Sequence, residues 1–172
     1  MKKIALGFAI ACIGVIACAF CGCSTSSGED ATGVNGGFGL TNGIITVAGD
    51  AFTVQLDSNP STGYDWSVSV DGTSVKQAGD SFDQGVSVSD EDSQEATEGD
   101  DETTVGQSGV RVLTFEGASA GKSTINLAYA QAGSGDVETT VTINVACASN
   151  GAITSIEATD SHGGQGSVKS SK

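Results

Sequence analysis

Between Phe52 and Val145 the apolar residues recur at every second position, in runs of three to five broken by glycine-containing turns. That spacing puts alternate side chains on one face of an extended chain and is incompatible with a helical stripe. Phe52, Val54 and Leu56 form one run. Tyr64, Trp66, Val68 and Val70 form the next, Ile125, Leu127 and Tyr129 another, and Val137 through Val145 the last. Ile44–Val47 and Val110–Phe115 read as further strands, and a weak one starts at Val75. Gly49-Asp50, Asp71-Gly72, Ala120-Gly121-Lys122 and Gly133–Asp136 supply turns, the second and fourth of hairpin type. About seven short strands without helices predict an all-β, antiparallel sandwich.

The flanks lack this period. Lys2 and Lys3 precede an apolar run, Ile4–Ala19, which is too short and wrongly flanked for a spanning helix and reads as a secretory signal. Residues 24–39 are rich in Gly, Ser and Thr and read as a flexible linker. The sandwich domain is expected over 40–148. Residues 149–172 are expected to form a disordered tail. Near 80–108 the period fails again, and Ser89–Glu95 and Glu98–Glu102 are strongly acidic, the composition of a solvated insertion. Counted from Asp90, the glycine and glutamate positions of a helix-loop-helix calcium site do not match, so no metal is expected.

A net charge of -14 disfavours nucleic acid as a partner. His162 is the only histidine and falls in the expected tail, so neither a Ser-His-Asp nor a Cys-His arrangement is expected. The zinc-ligand and phosphate-loop patterns are missing as well. No enzyme activity and no cofactor are expected. Of five cysteines, only Cys147 lies in the body of the chain, where it reads as a small buried side chain.

The octet Asn59-Pro60-Ser61-Thr62-Gly63-Tyr64-Asp65-Trp66 holds the only proline and the only tryptophan. Pro60 fixes its own φ and drives Asn59 out of the helical region. Gly63 permits a positive φ, and the hydroxyls of Ser61 and Thr62 can bond back to the main chain. The result is a stiff turn, with Trp66 expected in the core beneath it.

The octet resembles the signature of the chagasin-type inhibitors of papain-like cysteine proteases: Asn-Pro-Thr-Thr-Gly, an aromatic, any residue, then Trp. Ser61 for Thr is the one change. The likeness extends over roughly Ile44 to Val145. It includes Ile45-Thr46-Val47 leading to Phe52-Thr53-Val54-Gln55-Leu56, Gly106-Gln107-Ser108-Gly109 before Phe115, and the Ile125-x-Leu127-x-Tyr129 strand. The resemblance implies an immunoglobulin-like fold. It also implies three loops entering a protease cleft: Asn59, Pro60, Ser61, Thr62, Gly63 and Tyr64 at the centre, with Gly106, Gln107, Ser108 and Gly109 on one side. Ser108 departs from the family's glycine. On the other side the family carries Arg-Pro-Trp, whereas this chain has Gln131-Ala132-Gly133. Loss of Arg and Trp anchors implies weaker binding, by on the order of 2 kcal/mol, or roughly 30-fold. The alternative is a surface immunoglobulin-like interaction module that has lost protease binding.

The N-terminus resembles a bacterial lipoprotein signal over residues 1–23. Cys23, after Gly22 and before a Ser/Thr/Gly tether, is the favoured lipidation site. Cys18, after Val15-Ile16-Ala17, is the alternative. Either implies an extracytoplasmic body, lipid-anchored at the cell membrane or cell surface.

Overall fold

The computed structural model describes residues 32–88 and 108–170. Among these residues, ten strands lie in two antiparallel sheets. The first sheet has the order β1 (Asn35–Leu40), β2 (Gly43–Ala48), β3 (Ala51–Ser58), β6 (Gly109–Gly117), β5 (Val75–Gln84). The second has the order β10 (Gln165–Lys169), β9 (Ile153–Asp160), β8 (Val137–Cys147), β7 (Gly121–Gln131), β4 (Tyr64–Asp71). The sandwich is as expected, but three strands exceed the sequence-based count.

The core lies between the sheets. Ile45, Val54, Leu56 and Leu113 face Ile125, Leu127, Ile143 and Ile156, all fully or almost fully buried. Phe52 and Phe115 stack with ring centroids 5.1 Å apart. Trp66 is buried, as its parity with Val68 predicts. Cys147 is also buried, and burial pushes its thiol pKa up. The octet's aromatic foot is therefore part of the same apolar layer that stabilises the sandwich.

Several boundaries differ from the sequence reading. The expected linker ends early, because Asn35–Leu40 pairs with β2 from Asn35↔Ala48 to Leu40↔Gly43. The expected disordered tail contains β9 and β10, where Ile153 and Ile156 are fully buried. Strand β5 runs to Gln84, past the expected start of the insertion. Asp71-Gly72 does not close a hairpin. It crosses between sheets, since β4 pairs with β7 and β5 with β6. Ala120-Gly121-Lys122 likewise carries the chain from one sheet to the other. Gly133–Asp136 does close the β7–β8 hairpin.

The two sides of the sandwich are closed differently. On one, Phe38 of β1 lies over Gly166 of β10, where any Cβ would come within 2.1 Å of the ring. On the other, Arg111 of β6 bonds Asp80 of β5 and reaches across to Asp65 of β4 at 2.8 Å. Asp65 also accepts from the Trp66 amide at 2.8 Å, so this clamp grips the strand that leaves the octet turn.

Candidate functional site

The turn between β3 and β4 is built by its own residues. Asn59 is extended, with φ -137° and ψ 80°, as a residue before proline must be. Pro60–Thr62 make one 3-10 turn. The Thr62 amide donates to the Asn59 carbonyl at 3.1 Å and the Gly63 amide to the Pro60 carbonyl at 3.0 Å. The Thr62 hydroxyl also donates to the Asn59 carbonyl, at 2.7 Å, and the Ser61 hydroxyl to Asn59 Oδ1. Gly63 then reverses the chain at φ 82°. Nothing lies within 4 Å of where its Cβ would be, so the backbone angle alone calls for glycine there. Pro60, Ser61, Thr62 and Gly63 are exposed, while Asn59 and Tyr64 are half-buried.

The turn stands on a fixed base. The Asn59 amide donates to the Tyr129 hydroxyl at 3.0 Å. The Tyr129 ring packs against Tyr64 and Trp66, with centroids 5.4 Å and 5.1 Å away. Trp66 Nε1 donates to the Asp57 carbonyl at 3.0 Å, tying the incoming strand to the outgoing one. Sequence reasoning placed Tyr129 on its strand but missed this role. The only signal was a hydroxyl-bearing aromatic at the end of an otherwise aliphatic face.

The other expected site residues divide into two groups. Gly106 and Gln107 lie outside the described residues, as do Cys18 and Cys23. Ser108 is exposed, and Gly109 pairs with Ser58 on one side and Gln84 on the other. A Cβ on Gly109 would fall 2.3 Å from the Asp83 carbonyl oxygen and 2.6 Å from the Phe82 ring, so this position requires glycine for close packing. Gln131 is exposed and pairs with Tyr64. Its neighbour Ala132 donates its amide to the Gly63 carbonyl at 2.9 Å. Ser108, Gly109 and Gln131 thus share one end of the sandwich with the Asn59–Gly63 turn.

Beneath the turn is a notch of about 170 Å³, lined by Asp57, Ser58, Asn59, Trp66, Tyr129 and Glu138 among others. Among the described residues, Ser58 Oγ is buried without a hydrogen-bond partner. His162 lies in the β9–β10 turn, not in a loose tail, and its amide donates to Asp160 Oδ1 at 2.8 Å. Among the described residues, no three His, Cys, Asp or Glu side chains come together as metal ligands.

Residues 46–145 match the family described as chagasin family peptidase inhibitor I42. The chain belongs to the chagasin family. The matched span begins within β2 and ends within β8, so β1, β9 and β10 lie beyond the chagasin match and extend both sheets. The crystal structure of the cysteine protease inhibitor EhICP2 from Entamoeba histolytica aligns with a TM-score of 0.35 and 22% identity. That alignment covers 50% of this chain and 66% of EhICP2, just under two thirds of its length. A comparison with curated proteins found no match.

Proposed function

We propose that this chagasin-family chain inhibits papain-like cysteine proteases by filling the active-site cleft with the Asn59–Gly63 turn. The observation that carries the reading is an exposed Pro60–Gly63 turn whose root is bonded to Tyr129 and whose exit is bonded to Ala132. A turn already held in shape loses little conformational entropy on docking. Thr62, at its apex, faces the catalytic Cys and His in this reading, and Gly63 lets the backbones approach closely. The cleft is offered a compact turn, not an extended peptide aligned for attack, so the chain is bound without being cut. Ser108, Gly109 and Gln131 flank the wedge, with Gly106 and Gln107 completing the second loop.

A lipid on Cys23, or on Cys18, would hold the inhibitor at the outer face of the cell membrane, where it meets proteases outside the cytoplasm. Radiolabelled fatty acid incorporated by the wild type and lost on Cys23→Ser tests the favoured site.

Titration of papain-like proteases with the purified protein tests inhibition. The expected result is competitive inhibition with the inhibitor recovered intact. Uninhibited enzymes at high micromolar concentration favour the second reading, a surface module without protease binding. That reading draws on Gln131-Ala132-Gly133 standing where the family carries Arg-Pro-Trp.

A further inference from the structure

Charge is distributed unevenly along the sandwich. At the end that carries the Asn59–Gly63 turn, Asp83, Asp136 and Glu138 are exposed and form no ion pair among the described residues. Asp83 pairs across the sheet with Val110, one residue from Gly109. The main-chain carbonyl of Asp136 accepts the Gln131 amide at 3.3 Å, and Glu138 lines the notch beneath Asn59. Among the described residues the one cation near this end, Arg111, is held between Asp65 and Asp80 and leaves that trio net negative.

The lysines of the described residues, Lys76, Lys122 and Lys169, all lie toward the opposite end. Lys76 pairs with Glu116, Lys122 is one residue past Gly121, and Lys169 pairs with Ser155. A field of one sign around a docking surface raises the encounter rate with a partner of the opposite sign and slows one of the same sign.

We infer that the partner selected at this end is a thiol protease whose cleft is rimmed by Lys and Arg, drawn in by Asp83, Asp136 and Glu138. The inference rests on the inhibitor reading and adds the electrostatic class of the target. It places selectivity in the association rate, because unpaired rim charges act on encounter more than on residence time. It also supplies attraction around a wedge that lacks the arginine and tryptophan of the third loop.

The test is stopped-flow association of the full chain with two papain-like proteases, one with a positive cleft rim and one with a negative rim, at about 20 mM and 500 mM salt. The positive-rimmed enzyme should associate at least about tenfold faster at low salt, and added salt should remove most of that advantage. The triple variant Asp83→Asn, Asp136→Asn, Glu138→Gln should lose a measurable part of it, with its dissociation rate and thermal midpoint unchanged. Equal, salt-independent association of both enzymes, or a variant as fast as the wild type, overturns this inference and leaves inhibition standing. If neither enzyme is inhibited, the inhibitor reading falls and takes this inference with it.

Discussion

The amide of Asn59 and the hydroxyl of Tyr129 meet at 3.0 Å across 70 residues of sequence. This bond joins the root of the exposed turn to β7 in the second sheet, and the Tyr129 ring packs against both Tyr64 and Trp66. Removing the hydroxyl leaves the rings in place and strands a half-buried amide. Tyr129→Phe should therefore destabilise the fold by roughly 1–3 kcal/mol in urea denaturation. It should also speed hydrogen exchange at Asn59, while the near-UV signature of the packed rings persists.

Gly109 tests the second loop. An added methyl would sit 2.3 Å from a backbone oxygen of β5, which cannot move without opening the β5–β6 ladder. Gly109→Ala should lower stability by roughly 1–3 kcal/mol. Amide protection should be lost first at Asp83 and Gln84, on the facing strand.

Arg111 ties β6 and β5 to β4 on the side of the sandwich opposite the β1–β10 contact. Its side chain is 20% exposed, better shielded than a typical surface pair. Arg111→Gln should cost about 1 kcal/mol, near the upper end for ion pairs of this kind. Asp80→Asn should cost less, because Asp65 still holds the guanidinium. Denaturation midpoints at low and high salt will rank the two.

Acid should weaken the fold through two carboxylates. The hydrogen bond from Arg111 holds Asp80 below its ordinary pKa. Burial pushes Asp160 up, but the amides of Thr41, Gly164 and His162 outweigh it, so its pKa is also lowered. A folded pKa below the unfolded one gives stabilisation that is complete above the unfolded value, near 4, and is lost as pH falls through the folded value. The thermal midpoint should hold from pH 7 to about 5 and drop below about 4, and Asp160→Asn should flatten part of that drop.

Strands β2, β3, β4, β6, β7 and β8 were legible because each alternates cleanly around buried residues such as Ile45, Val54, Trp66, Leu113, Leu127 and Ile143. Strand β1 was not, because Gly36, Gly37 and Gly39 leave only Phe38 and Leu40 to mark a face. Strand β9 hid behind a bulge. Ala146 pairs with Ser155 and Cys147 with Ile153, so the buried Ile153 and Ile156 are three residues apart and break the two-residue period. Strand β5 was legible only as a weak strand starting at Val75, and its run to Gln84 was not, because Val75 is the one buried hydrophobic residue of this edge strand. The octet turn and its tryptophan foot followed from local chemistry, whereas the Tyr129 anchor required long-range pairing.

Thr62 stands at the exposed apex of the turn, and among the described residues its hydrogen bonds run to the Asn59 carbonyl alone, so a large side chain there disturbs little else. The decisive measurement is the inhibition constant of Thr62→Arg beside that of the wild type, against the same papain-like protease, with thermal midpoints taken in parallel. A wedge seated over the catalytic pair predicts a loss of roughly 30-fold or more with the midpoint almost unmoved. Equal inhibition by both proteins would show that this turn does not enter the cleft.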